Sequence, residues 1–145
     1  MSYKVKFDDL EKIEKMLETY AKKSTSIAKQ MVYVGAGDIA DAVRKSLNSV
    51  LSSEATGELA NRLHTTAIKV NGSVVGNSVR FDGYDSKGVP LPLIAAVLES
   101  GRSDQPNRKA THFYSNAVNS ARGKAQSDMS AKFDEVIEKI SRSGE

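Results

Sequence analysis

Residues 83–118, GYDSKGVPLPLIAAVLESGRSDQPNRKATHFYSNAV, decide how this chain is read. Gly83 to Pro90 is turn chemistry around one aromatic, Tyr84: glycine reaches positive φ without strain, and Asp and Ser side chains bond to nearby backbone. Leu91 to Leu98 is apolar almost throughout, so it is buried as a short helix or a strand. Pro92 favours a helix starting there, because the N–H that proline lacks is left unpaired in a first turn anyway. The run breaks at Glu99-Ser100-Gly101 into a basic loop carrying Arg102, Arg108 and Lys109, softened by Asp104, and that loop feeds a long helix. None of these residues is arranged for chemistry. The arrangement suits a loop and a helix docked against other copies of the chain.

Outward from this stretch, Phe113, Ala117, Val118, Ala121, Ala125, Met129, Phe133, Val136, Ile137 and Ile140 recur at helical spacing. A helix of about 30 residues is ~45 Å long, more than the core of one small domain needs, so part of it should meet something else. Upstream, two β-like runs flank Asn71-Gly72, a strong hairpin signal. A turn on those two residues pairs Val70 with Ser73, Ile68 with Val75, Thr66 with Asn77 and His64 with Val79. Ile68, Val75, Val79 and Phe81 then share one face. Thr56-Gly57-Glu58-Leu59 reads as a short helical turn capped by Thr56. Leu10, Ile13, Met16, Leu17, Tyr20, Ala21, Ile27, Ala28 and Met31 predict a helix over 8–33. Gly35 and Gly37 predict an interruption, since each weakens a helix by about 1 kcal/mol relative to alanine; Asp38 can cap a restart over 38–52. Tyr3, Val5 and Phe7 alternate with Lys4 and Lys6 as in a short edge strand. The expected fold is α+β: a small antiparallel β-sheet with a central hairpin, packed by long N-terminal and C-terminal amphipathic helices, in a single domain spanning 1–145.

With 39% apolar and 27% charged residues, five Tyr, four Phe and no Trp, the core is modest and partner-covered surface is expected. The absence of cysteine removes disulfides, thiolate catalysis and zinc–thiolate sites together, and fits a reducing compartment. No apolar run approaches the ~18 residues of a membrane span, and the first residues lack the apolar segment of a cleaved signal. A soluble, non-exported protein with no membrane partner is expected. The net charge of +3 arises from 21 basic and 18 acidic residues, well mixed, without the concentrated stripe of a dedicated DNA binder.

His64 and His112 stand in no His-Glu-x-x-His frame. Asp82, Asp85 and Gly88 suggest a calcium loop, but Tyr84 falls at its third position and Leu93 at its twelfth, where a bidentate Glu belongs. No G-x-S-x-G elbow surrounds a serine. The chain is therefore expected to be no enzyme and to need no cofactor or metal. Arg102, Arg108 and Lys109 admit three readings: a solvated loop, a protein interface, or phosphate contact.

The order of features resembles the tail-completion and head–tail joining family of long-tailed double-stranded DNA bacteriophages. The resemblance rests on VKFDDLEKIEKML, on Thr56-Gly57-Glu58-Leu59 before the hairpin, on GYDSKGVPLPLIAAVLESGRSDQPNR and on the closing helix. That family has an apolar segment ending in Glu-Phe-Gly-Thr, then Pro-x-Arg-Pro-Phe and a helix. Glu99, Gly101, Pro106 and Arg108 keep the pattern. Ser100, Arg102 and Lys109 depart from it, and Phe113 supplies an aromatic late. The resemblance implies a subunit of the virion neck, assembled in the host cytoplasm. Such subunits form a ring, commonly hexameric, that completes the tail tube and joins it to the head connector, with DNA passing unread through the lumen. The expected partners are sister copies, the tail tube protein and the connector proteins. Expected interface residues are Tyr84, Leu91, Leu93, Glu99, Arg102, Arg108 and Phe113, with the long helix bracing the ring. The alternatives are a small nucleic-acid-binding module using the basic 102–124 region, through Arg102, Arg108, Lys109, Arg122 and Lys124, and a transient tail-assembly chaperone.

Overall fold

In the computed structural model the apolar stripe of the N-terminal half runs on without interruption, so α1, Leu10–Val50, is one helix of 41 residues, about 60 Å long. The structure describes residues 10–51, 57–72, 74–104 and 109–143; the predicted strand at 3–7, the Thr56 cap and Arg108 lie outside them. The expected division of α1 at Gly35 and Gly37 is thus corrected, and the reason is packing. α4, Phe113–Ser143, runs antiparallel along α1, and at the crossing a Cβ on Gly35 would stand 2.5 Å from Met129 Sδ. Gly35 is small because another helix lies against it. Its propensity cost is offset by tertiary packing, which supplies most helical stability in folded proteins. Ala117, Ala121 and Ala125, one helical turn apart and all buried, keep the same seam close from the α4 side.

The core sits at one end of this helical pair. Val43 and Leu47 of α1 and Phe113 and Ala117 of α4 enclose Leu59, Leu63, Phe81, Leu91 and Ala95. Leu59 comes from α2, Glu58–Asn61, and Leu91 and Ala95 from α3, Leu91–Ser100. Farther along the pair a small second cluster joins Ile27 to Val136 and Ile140, with Tyr20, Met31 and Ile137 against it. There only two described helices meet, so they form a stalk with open faces, and Tyr33 and Phe133 remain exposed on it.

The four short strands make two antiparallel pairs. β1, Leu63–Thr65, pairs with β4, Val79–Phe81, with Leu63 opposite Phe81 and Thr65 opposite Val79. β2, Lys69–Asn71, pairs with β3, Val74–Gly76, with Asn71 opposite Val74 and Val70 opposite Val75. The hairpin is therefore present but its predicted register is corrected: Val70 pairs with Val75 and Asn71 with Val74, so Asn71 belongs to the strand and not to the turn, and Gly72 after it takes φ 61°. Thr66–Ile68 on one side face only Asn77 and Ser78 on the other, and this extra residue shifts the outer pairing by one. Side chains bridge the mismatch, Thr66 Oγ1 accepting from Ser78 N–H at 2.8 Å and Asn77 Nδ2 donating to Thr66 O at 3.2 Å. Such a bulge separates the two ladders. The expected apolar face survives in part: Phe81 is in the core, while Ile68, Val75 and Val79 are half-buried.

Candidate functional site

The elbow between α3 and α4 is where the sequence singled out most residues, and its geometry follows from helix-end chemistry. A helix leaves its last carbonyls and first N–H groups without partners. Here each end supplies the other. Thr111 N–H and Oγ1 both donate to Leu98 O, at 3.1 and 2.7 Å, and His112 N–H donates to Glu99 O at 3.1 Å. In return the Glu99 carboxylate accepts from Tyr114 N–H at 2.8 Å, from Ser115 N–H at 3.3 Å and from the Ser115 hydroxyl. Gly101 closes α3 with φ 73°, and His112 takes φ 53° to turn the chain into α4. That left-handed conformation is uncommon for a residue other than glycine and is held by the bonds on either side.

Burial alone would raise the Glu99 pKa, but the Ser115 hydroxyl, the Tyr114 and Ser115 N–H groups and the charge of His112 outweigh it, and the carboxyl is held below its usual value. An ionised carboxylate at a helix N-terminus is favoured by both its hydrogen bonds and the helix dipole. Glu99 is thus the clamp that fixes the angle between α3 and α4, a polar contact within one subunit. Tyr114, next to it, donates its hydroxyl to Val79 O at 2.5 Å and ties α4 to the sheet.

The remaining predicted interface residues divide. Leu91 and Phe113 are only 1% exposed and belong to the core, where Phe113 meets Phe81 edge to face at 6.1 Å. They are removed from the interface set, because a side chain fully enclosed in the monomer has no surface to offer a neighbour. Tyr84 and Leu93 are 68% and 55% exposed, on opposite flanks of α3. Leu93 lines a groove of about 640 Å³ with Leu51, Val97, Leu98 and, at its rim, Arg102 and Lys109. Tyr84 borders a second groove of about 660 Å³ floored by Phe81, Pro92, Ala95 and Ala96. Arg102 is held by its near neighbour Asp104, with Nε and Nη2 bonding the two carboxylate oxygens at 3.0 and 2.9 Å.

Two features went unread in the sequence. Lys124 bridges Asp38 and Asp128, at 3.2 and 2.8 Å, across the α1–α4 seam. Hydrogen bonding to Asp128 and then burial push the Asp38 carboxyl up, while Lys124 and then Asp38 hold Asp128 down. The i, i+4 spacing of Lys124 and Asp128 was visible; Asp38 was hidden by its reading as a cap. The second feature is exposed valine on the hairpin, Val70 and Val74. His64 Nε2 lies 2.7 Å from Asp82 Oδ2, poorly aligned for a hydrogen bond, and far along the chain from the elbow's His112. Among the described residues no three His, Cys, Asp or Glu side chains are grouped to hold a metal ion, and no helix is long and apolar enough to cross a membrane. Set against protein-family models, curated proteins and solved structures, the chain matches none.

Proposed function

We propose that the protein is a structural subunit of the neck of a long-tailed bacteriophage, assembling with its own copies into a ring that completes the tail tube and joins it to the head connector. The observation that carries the reading is apolar surface left open around a rigid elbow. Tyr84 and Leu93 flank α3, whose angle to α4 is fixed by the Glu99 clamp. Exposed apolar groups beside a stiff helix favour permanent protein contact, whereas an enzyme site would need convergent polar groups. The order of elements supports the same reading, from the long first helix through the hairpin and elbow to a closing helix of 31 residues. The two-helix stalk offers length for bracing neighbours.

Phosphate contact is less well supported, since Arg102 is paired with Asp104 and Lys124 with Asp38 and Asp128. The deciding experiment is cryo-EM of the head–tail junction of particles made with and without this chain. Density for a ring of this subunit between tube and connector is expected, with headless tails or tailless heads in its absence. Normal particles without the chain, or duplex-DNA affinity with a steep salt slope in the isolated protein, would overturn the proposal.

A further inference from the structure

Asn71 is the one asparagine of the sequence that a glycine follows, and the fold sets this pair at the tip of the β2–β3 hairpin. Asn71 is exposed, and no hydrogen bond ties its side-chain amide to another described residue. Other asparagines are held: Asn77 Nδ2 donates to Thr66 O at 3.2 Å, while Asn48, Asn116 and Asn119 lie inside α1 and α4. Gly72 has φ 61°, and a Cβ on it would meet nothing within 4 Å, so the main chain beside Asn71 is open. The ladder itself is weak. β2 is exposed at all three positions and pairs with β3 alone. Two strands alone are marginal in water, and opening such a tip costs far less than unfolding the domain.

We infer that Asn71 is a site of spontaneous covalent modification, in which its side chain closes on the Gly72 nitrogen and is converted to aspartate or isoaspartate. Asparagine is among the chemically labile side chains, and glycine leaves the attacking nitrogen uncrowded. With the tip open, rotation about the Asn71 Cα–C bond brings that nitrogen to Asn71 Cγ. Base takes the Gly72 amide proton, the nitrogen bonds to Cγ, the Cγ–Nδ2 bond breaks, and Nδ2 leaves as ammonia after taking up a proton. Water then opens the cyclic imide. Cleavage between Cγ and the nitrogen restores an ordinary main chain with aspartate. Cleavage between the nitrogen and the main-chain carbonyl carbon routes the chain through Cγ and leaves the α-carboxylate as the side group. Water is consumed, ammonia is released, and nothing is oxidised or reduced. Both products add a negative charge beside Lys69 and Val70. Isoaspartate also lengthens the main chain by a carbon at the residue opposite Val74, so the register at the tip cannot be kept and the hairpin loosens. The inference does not depend on the proposed function.

The full chain is held at mildly alkaline pH, at a temperature that leaves its far-UV CD unchanged, and peptide mapping by mass spectrometry follows each asparagine. Conversion of Asn71 is expected to run at least about tenfold faster than that of Asn48, Asn116 or Asn119, whose helices must open first. It should rise with hydroxide concentration, release ammonia, and yield isoaspartate that an isoaspartate methyltransferase labels. Asn71→Gln, whose longer side chain closes the corresponding ring poorly, should abolish it. Trypsin reads the consequence for the hairpin, since cleavage after Lys69 follows the opened population. It should be several-fold faster in the isoaspartate form, isolated by ion exchange, than in Asn71→Asp, which has the added charge without the longer main chain. Conversion at Asn71 no faster than within the helices, or conversion that yields no isoaspartate, would overturn the inference. Equal tryptic cleavage of the two forms would overturn the loosening of the hairpin.

Discussion

Replacing Gly37 by alanine should stabilise the protein, and the same change at Gly35 should not. Both glycines sit inside α1 and neither has positive φ. A Cβ on Gly37 meets nothing within 4 Å, so only the helix-propensity gain remains, about 1 kcal/mol. In a chain of 145 residues that is roughly 4 °C in Tm. At Gly35 the added methyl would lie 2.5 Å from Met129 Sδ and 2.9 Å from its Cγ. The thioether is flexible, but moving it within a close helix seam costs about 1–3 kcal/mol, which equals or exceeds the propensity gain. Gly35→Ala is therefore expected between neutral and about 2 kcal/mol destabilised. In a Met129→Ala background the penalty should vanish, giving a coupling of about 1–3 kcal/mol in the double-mutant cycle. Urea unfolding followed by far-UV CD reads all four proteins. If Gly37→Ala destabilised, or Gly35→Ala raised stability as much as Gly37→Ala, α1 would be broken at this point and the packing explanation wrong.

Removing the clamp by Glu99→Ala should cost about 1.5–3 kcal/mol, the range for hydrogen bonds to a charged group. Because the folded pKa of Glu99 lies below its ordinary value near 4.5, its stabilisation is complete above that value and is lost as pH falls through the lowered one. Denaturation of wild type and variant from neutral to acid pH should show the gap closing, and a constant gap would exclude an electrostatic clamp. Tyr114→Phe should cost about 1 kcal/mol by leaving Val79 O without its donor; an unchanged urea midpoint would mean that water replaces the hydroxyl at no cost. Lys124→Met leaves Asp38 facing Asp128 with no intervening cation. The variant should be less stable at neutral pH and recover on acidification, as a proton shared by the two carboxyls removes their repulsion; a pH-independent difference would contradict this.

The parts of the fold carried by local pattern are legible in the sequence. Pro92 at the first turn of α3 and the long stripe from Phe113 to Ile140 marked helices that end close to where expected. Misreadings came where distant residues decide. Gly35 looked like a breaker because its partner Met129 lies 94 positions away in sequence, and propensity alone cannot register a neighbour that needs space. The hairpin register slipped because Asn71-Gly72 is a strong turn signal, whereas Thr66 and Asn77 together absorb an extra residue that no periodicity announces. Within the site, the clamp made by Glu99 was not legible, because a carboxylate ending one helix gives no sign that the next helix begins within its reach. Leu91 and Phe113 were assigned to an interface because apolar residues in the core and at a contact look alike in sequence; their 1% exposure separates them from Leu93 and Tyr84.

Self-association through the open apolar surface around α3 is the claim on which the functional account stands. Sedimentation velocity of the purified chain at increasing concentration tests it most directly, with Tyr84→Glu/Leu93→Glu as the control, since both side chains are exposed and their replacement should spare the fold. The account predicts one closed species several times the 15.7 kDa monomer mass for the wild type and a folded monomer for the control. A wild-type protein that sediments as a monomer at every concentration, or a control that assembles equally well, would contradict it.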